Sequence, residues 1–399
     1  MRHFDFLDAP TRARLFAVPP CDLSHSDAPA RLALALGATL YSPGTRRGLA
    51  DDAARAASIG TTSVVWCLED AIPHDAVAEA ERRVAAALRG VAAAAEARGV
   101  DAPMIFVRVR TPEQVLRIVA RAGAGLSALT GFVLPNFDPG SGPGFLTAVA
   151  AAGAMADRRL YAMPVLETPA IAWRETRAEA LHDLRALCDQ HRETVLAVRV
   201  GATDLSGLFG LRRDPDTTIW DVAVVRDVLV DIVNVFGRRG DYLVTGPVWE
   251  HVGGARLRKP QLRATPFEQV SAQRLRSQLV RDDVDELMRE VALDGANGLT
   301  GKTVIHPTHV SVVHALLAVT REEYDDALTI LAGQHAGGVA RSSTGAAMLE
   351  FGPHALWAER VSQRAAVYGV LADDRALVEL LVAGREAALR RYQLAPAHP

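Results

Sequence analysis

Acidic residues follow three of the apolar, strand-like runs in this 399-residue chain. Glu69 and Asp70 come after SVVWCL, Glu167 follows LYAMPVL, and Asp204 follows VLAVRV within the sequence GATD. A carboxylate that emerges from an apolar strand needs a cationic partner, and a divalent metal is the simplest partner for several carboxylates to share. Histidine and cysteine do not cluster near these acids, so the sequence favours the hard ion Mg²⁺, or Mn²⁺, over zinc.

Glu167 is the acid that helix capping explains least. Thr168 and Pro169 follow it and already supply a helix cap and a first helical residue. Glu167 is therefore free for chemistry.

Basic side chains accompany these acids. Arg108 and Arg110 share one face of their strand, because strand side chains alternate with period two. An arginine at the mouth of a barrel can clamp a carboxylate at two points, whereas the structural alternative is an ion pair with the nearby acids. For Arg108 we favour the clamp.

The turn Gly44-Thr45-Arg46 follows another strand-like run. Backbone N–H groups and a guanidinium there could hold a carboxylate or phosphate. A Thr45 cap beside solvated arginines is the equally supported alternative.

Only two lysines, Lys259 and Lys302, are available for a Schiff base. Lys302 starts its strand, at the end remote from a barrel's active face, which argues against that mechanism. His306 and His309 flank Pro307, so a shared helical face for metal binding is doubtful. For His309 we expect a structural role.

Eight βα units organise the chain, which predicts a (β/α)8 TIM barrel rather than an open doubly wound sheet. We expect an N-terminal extension at 1–36, the barrel at 37–320 and a C-terminal helical segment or lid at 321–399. The predicted strands are 38–42, 63–68, 104–109, 131–135, 160–166, 195–200, 242–246 and 303–306. The predicted helices are 75–97, 112–122, 170–188, 219–236 and 268–294.

Two regions fall outside this repeat. Residues 249–267 are too long and polar for an ordinary βα loop and are interpreted as a lid or active-site insertion. Residues 336–353 have the Gly/Ser-rich composition of a loop.

Charge and composition narrow the function. The 44 basic and 47 acidic side chains leave a net charge of −3, unlike the basic excess of a nucleic-acid binder. We expect no membrane span, since no apolar run reaches about 18 residues. The charged N-terminus does not resemble a signal peptide, so we expect a cytoplasmic protein whose three cysteines are reduced.

Seven ordered motifs together resemble the citrate lyase β-subunit and HpcH/HpaI aldolase superfamily. They are YSPGTR (41–46), WCLEDAI (66–72), FVRVR (106–110), VLPN (133–136), PVLETP (164–169), VGATDL (200–205) and GKTVIHP (301–307). More narrowly, the chain resembles the TIM-barrel carbon-carbon bond lyases that are often encoded beside tellurium-resistance genes. This resemblance implies a Mg²⁺-dependent lyase or aldolase that is a homo-oligomer, commonly a trimer or hexamer.

The resemblance also implies roles for individual residues. Glu167 and Asp204 match the metal ligands, and Arg108 matches the arginine that binds the substrate carboxylate or carbonyl. Glu69 and Asp70 match acids that hold metal-bound water or assist proton transfer. Together these residues imply cleavage or condensation next to a carboxylate or keto acid, through a metal-stabilised enolate.

The remaining site predictions concern substrate contact. Arg46 matches a substrate-facing arginine, and we place Gly44 and Thr45 with it. Many relatives differ from this chain at Arg110 and Asn136, which indicates an altered substrate and argues against acyl-CoA. Two alternatives stay open: a metal-dependent phosphate-ester or phosphoenolpyruvate enzyme, and a barrel that binds a ligand or assembles without turnover.

Overall fold

The computed structural model describes residues 1–99, 101–252, 284–335 and 337–393. Most of the predicted insertion at 249–267, including Lys259, lies outside the described residues, as does the first part of the helix predicted at 268–294.

Eight parallel strands close into a barrel in chain order, which confirms the predicted fold. In that order, they are Ala38–Pro43, Ser63–Cys67, Met104–Arg108, Leu129–Leu134, Tyr161–Leu166, Val198–Val200, Val244–Trp249 and Lys302–Val304. We number them as barrel strands one to eight.

The strands form where the sequence has short, nearly continuous apolar runs. Every residue of strands four and five is buried, as expected for parallel strands covered by helices outside and side chains within. Strand six is shorter than predicted, because Val195 contributes only an isolated bridge to Ala162. Strand seven extends beyond its predicted end to Trp249.

Helices separate the strands and pack around the barrel. The α-helices of this part are Leu49–Ser58, Val77–Arg98, Pro112–Ala122, Gly142–Met155, Pro169–Ala172, Arg174–Gln190, Ala202–Leu208, Ala223–Phe236, Val284–Ala296 and Pro307–Leu317. Short 3₁₀ helices lie at His74–Ala76, Gly123–Ala128, Ile219–Asp221 and Arg238–Gly240. The helix predicted at 170–188 is divided at Trp173, whose backbone is extended.

The segments before and after the barrel contact each other. Helices Ala9–Leu15 and Pro29–Ala35 flank strand Phe16–Val18, which pairs antiparallel with strand Val370–Leu371. The remaining C-terminal elements are helices Arg321–Gly333, Ala355–Tyr368 and Asp374–Tyr392 and strands Val339–Arg341 and Met348–Glu350.

One prediction in the C-terminal segment is wrong. The passage at 336–353 contains an antiparallel hairpin of strands Val339–Arg341 and Met348–Glu350, not only loop. Its turn is closed by Ala347 N–H donating to Ser342 Oγ at 3.0 Å, with Gly345 at a positive φ of 74°. Small polar residues here form a β-turn rather than an open loop.

The C-terminal helix Ala355–Tyr368 packs against the helix that precedes the barrel. Tyr368 is buried and donates its hydroxyl to the Leu34 carbonyl at 2.7 Å. No helix in the described ranges is both long and apolar enough to cross a membrane.

Candidate active site

Arg108 ends strand three and collects the acids that follow strands two and five. Its Nη2 atom lies 2.9 Å from Glu69 Oε2 and 3.1 Å from Glu167 Oε1. Asp70 is more distant, at 3.8 Å, and its side chain is 67% exposed. Parallel strands that end at one rim thus bring together one guanidinium and three predicted acids.

Glu167 occupies the most enclosed position of the group, with 2% of its surface exposed. Its Oε1 atom accepts hydrogen bonds from Arg108 Nη2 and, at 2.9 Å, from the backbone N–H of Asn136. Asn136 lies at a left-handed φ of 46°, a conformation that asparagine tolerates better than most residues. The other oxygen, Oε2, has no hydrogen-bond partner among the residues described.

Asp204 lies in the first turn of helix Ala202–Leu208, after strand six, and faces Glu167. Burial raises the pKa of Glu167 to about 8, Arg108 opposes that rise, and the neighbouring Asp204 carboxylate adds to it. The Glu167 carboxyl group, after strand five, and the Asp204 carboxyl group, in the helix after strand six, are therefore neighbours beside Arg108. Both are oxygen donors of the kind a hard divalent cation prefers.

Glu69 has a similar environment. Burial raises its pKa to about 7, with Arg108 opposing the rise and Asp70 adding to it. A carboxyl group with a pKa near neutrality can exchange a proton at physiological pH.

The donor set fits a magnesium ion that keeps most of its ligands as water or substrate. Mg²⁺ is usually held by one or two carboxylates rather than by a full protein cage. No group of three or more His, Cys, Asp or Glu side chains suited to a metal occurs in the described part of the chain. Two groups are available to such an ion: Glu167 Oε2, which is buried without a hydrogen-bond partner in the described structure, and the carboxyl group of Asp204.

Gly201 makes room for Glu167 and was missed by sequence reasoning. A β-carbon at residue 201 would lie 1.9 Å from Glu167 Oε2 and 2.5 Å from Glu167 Cβ. The signal was present in the sequence, because this glycine precedes the Ala-Thr-Asp that carries Asp204.

The structure does not bring the Gly44 turn into the acidic group. Gly44 N–H donates to the Cys67 carbonyl at 2.8 Å and Arg46 N–H to the Pro43 carbonyl at 3.0 Å, so neither is free for an anion. Arg46 pairs with Asp52, and the Thr45 carbonyl accepts from Arg83. Thr45 does not cap a helix either, since the next helix begins at Leu49 and has Gly48 at its N-cap.

The Arg110 side chain is hydrogen-bonded to the loop after strand two rather than lying in an open cavity. Its guanidinium donates to the carbonyls of Leu68, Glu69 and Ile72 at 2.7, 2.7 and 2.9 Å. The predicted shared face with Arg108 does not hold, because the strand ends at Arg108. Arg110 therefore fixes the backbone that carries Glu69 and Asp70.

The remaining candidates lie apart from this group. Lys302 is fully buried against the helix layer, with Nζ 2.8 Å from Glu290 and 2.7 Å from Asp294. His306 begins helix Pro307–Leu317, and burial lowers the pKa of His309 to about 3.

The expected Thr168 cap is also absent. Thr168 stands at the N-cap of helix Pro169–Ala172, but its side chain makes no capping bond, and its buried hydroxyl has no partner in the described structure. Glu167 is still left for other contacts, since it faces Arg108 rather than the helix.

Comparison with known proteins adds the family. A family model described as C-C bond lyase of the TIM-barrel fold matches residues 30–370. The chain belongs to this family. Membership supports a carbon-carbon lyase on a TIM barrel and agrees with the resemblance seen in the sequence motifs.

Solved structures similar to this family member include citrate lyase-type proteins. A citrate lyase from Burkholderia xenovorans LB400 has a TM-score of 0.57 and 18% identity, covering 86% of this chain and 96% of its own. CitE from Mycobacterium tuberculosis, in complex with magnesium, acetoacetate and coenzyme A, has a TM-score of 0.49 and 20% identity, covering 84% and 99%. At such identity the Burkholderia match shows the fold. No curated protein sequence matches the chain significantly.

Proposed function

We propose that this family member is a Mg²⁺-dependent lyase, with Mn²⁺ as a substitute ion, that breaks or forms a carbon-carbon bond beside a carboxylate or α-keto group. One observation carries the proposal: the Glu167 and Asp204 carboxyl groups converge next to Arg108. A bound Mg²⁺ supplies Lewis-acid stabilisation of negative charge that develops on a substrate oxygen.

The chain's own residues divide the remaining work. Arg108 presents a guanidinium to the same space, where it binds a substrate carboxylate or carbonyl and adds a positive donor. Glu69 is the stronger candidate for carrying the proton, because its pKa of about 7 suits both giving and taking one. Asp70, which is exposed beside it, connects this acid to solvent.

The structure bears on one predicted substrate contact and on one alternative function. Asn136 contributes its backbone N–H to Glu167, leaving its exposed side chain for substrate. The phosphate-ester alternative loses support, since the N–H groups of Gly44 and Arg46 are already used. The substrate itself, a role for acyl-CoA and assembly as a trimer or hexamer stay proposals.

Calorimetric titration with Mg²⁺ tests the metal site. We expect one ion per chain in the wild type, and at least a tenfold loss of affinity in Glu167→Gln and Asp204→Asn. Glu193→Gln, at a 78% exposed surface side chain, is the matched control and retains binding.

Turnover of a keto-acid panel then tests the activity. We expect cleavage that requires Mg²⁺ and both carboxylates. Wild-type affinity in both carboxylate variants would overturn the metal assignment. Metal binding without turnover of any keto acid would instead favour the non-catalytic alternative.

A further inference from the structure

Arg199, in strand six, extends across the barrel interior. Only 2% of its surface is exposed, and its Nη1 atom lies 3.4 Å from Thr39 Oγ1 and 3.8 Å from Met163 Sδ. Its Nη2 atom donates to Thr303 Oγ1. These partners belong to strands one, five and eight, so the side chain crosses the interior rather than following the wall.

The positive charge of Arg199 has no counterion in the described structure. Its neighbours are hydroxyls, a thioether and the Tyr41 ring, whose centroid lies 5.5 Å from the guanidinium carbon. Burial lowers the pKa of Arg199, the Tyr41 phenol opposes this change, and repulsion from Arg108 adds to it. Burying an unpaired charge is strongly unfavourable, so an unpaired guanidinium at this position favours the binding of an anion.

Some of the surrounding hydroxyl groups also lack acceptors. Thr39 and Thr303 each accept a hydrogen bond from Arg199. Ser63 gives its one hydroxyl proton to a backbone carbonyl at 2.6 Å, so the Thr39 hydroxyl donates to Ser63 Oγ at 3.0 Å. The Thr303 hydroxyl proton has no acceptor among the described residues. Thr245 lies opposite Arg199 in strand register, is 1% exposed, and its hydroxyl has no partner within the described ranges. We call Arg199, Thr39, Thr245 and Thr303 the inner cluster.

The inner cluster lies one side-chain layer deeper than the candidate active site and connects with it. Arg199 is in register with Val165, two residues before Glu167. Thr303 and Tyr41 are only partly buried, so solvent reaches this layer. Tyr41 interacts electrostatically with Arg199, Arg108 and Glu167, so it lies near both groups of residues.

We propose that the inner cluster binds a second carboxylate of the substrate, so that the lyase acts on a dicarboxylate with one end at Arg108 and the other at Arg199. A carboxylate offers only acceptors, which match a guanidinium fork and hydroxyl donors. This inference rests on the proposed function, because the proposed reaction takes place at the candidate active site and assigns the reacting end of the substrate to Arg108.

Malonate, a minimal dicarboxylate, is the probe. Its binding is measured by calorimetry in metal-free buffer, since malonate itself chelates Mg²⁺. Arg199→Met removes the charge at similar volume, and we expect it to weaken malonate binding about tenfold or more, the loss of a charged hydrogen-bonding partner. Acetate binding is expected to change less than malonate binding.

Two further variants keep the test decisive. Thr245→Val removes one inner hydroxyl without altering charge and serves if Arg199→Met fails to fold; about a threefold to tenfold weakening of malonate binding is expected. Arg159→Met removes the same charge from a surface ion pair and is expected to leave malonate binding unchanged.

The outcomes separate the possibilities. Absence of malonate binding in the wild type, or equal binding in the folded Arg199→Met or Thr245→Val variant, overturns the dicarboxylate assignment. Inorganic phosphate binding that depends on Arg199, without malonate binding, assigns the cluster to phosphate and also overturns it. Because this measurement omits Mg²⁺, its failure is distinct from failure of the Glu167 and Asp204 titration.

Discussion

Gly201 and Glu167 approach so closely that residue 201 has no space for a side chain. A β-carbon there would lie 1.9 Å from Glu167 Oε2, well inside van der Waals contact. The backbone of strand six thus sets the position of a carboxylate that belongs to strand five. The position of the Glu167 carboxylate beside Arg108 therefore depends on a glycine at residue 201.

Gly201→Ala should therefore displace Glu167 and impair the site. A shift of about 1 Å in a reacting group can cost roughly 100-fold in rate, and we expect a loss of that order in kcat/KM. Gly207→Ala is the control, because a β-carbon at Gly207 meets no atom within 4 Å. Steady-state kinetics and Mg²⁺ titration of both variants measure the effect; equal behaviour would show that Glu167 has no fixed role.

Arg110→Met should act through the loop that bears Glu69 and Asp70. Loss of the hydrogen bonds to three carbonyls is expected to lower the free energy of unfolding by about 2–4 kcal/mol and to reduce kcat more than it raises KM. Urea denaturation and kinetics provide the measurements. Arg89→Met, which removes one exposed bond to the Arg121 carbonyl, is the control. A raised KM at unchanged stability would return Arg110 to direct substrate binding.

Lys302 should be structural and not a Schiff-base nucleophile. Replacing it with methionine leaves Asp294 buried without its cation, whereas Glu290 keeps its second partner, Arg213. Breaking a buried pair in this way costs about 3–5 kcal/mol. Thermal unfolding measures that loss. Borohydride treatment of the wild type with keto acids should attach no substrate to Lys302 by peptide mass spectrometry. A reduced adduct there would contradict this assignment.

His309 should make the fold less stable in acid. Burial lowers its pKa to about 3 in the folded protein from the ordinary value of 6.5, so the unfolded chain binds more protons as the pH falls below 6.5. Its neutral form therefore contributes fully above pH 6.5, and the contribution decreases by up to about 1.4 kcal/mol per pH unit between 6.5 and 3. Buried acids with raised pKa values have the opposite dependence, so a variant is needed to isolate the histidine.

His309→Leu removes this titration, and the Nδ1 atom of His309 has no hydrogen-bond partner to lose in the described structure. Urea denaturation from pH 7.5 to 4.5 should show the variant gaining stability relative to the wild type as the pH falls. The exposed His182→Leu is the control. A difference in unfolding free energy that is independent of pH would refute the prediction.

The barrel was readable from the sequence because its strands are short apolar runs at regular spacing. That pattern follows from burial of both faces of each strand, because a strand buried in this way has apolar residues at consecutive positions. Residues at the ends of parallel strands share one rim, so the sequence also predicted that Arg108 and the acids lie near one another. The ion pairs of Arg108 with Glu69 and Glu167 correspond to the alternative that the sequence analysis gave beside the favoured substrate clamp.

The contacts that could not be predicted from the sequence depend on the direction in which individual hydrogen-bond donors point. The predicted alternation of side chains extends to Arg110, two residues beyond the end of the strand at Arg108, whereas the guanidinium of Arg110 donates to backbone carbonyls. The Gly44 turn has the composition of an anion site, but the N–H groups of Gly44 and Arg46 donate to neighbouring carbonyls. Arg199 drew no attention because a polar residue within an apolar strand gives no sign of which layer of the barrel it enters.

The antiparallel pairing of Phe16–Val18 with Val370–Leu371 links segments separated by nearly the whole chain. During synthesis on the ribosome, the early segment must wait for its partner until the barrel between them has been made. A nascent chain truncated before residue 370 would expose an unpaired strand edge, which is a template for aggregation. Completion of the fold is thereby linked to synthesis of the residues that follow the barrel.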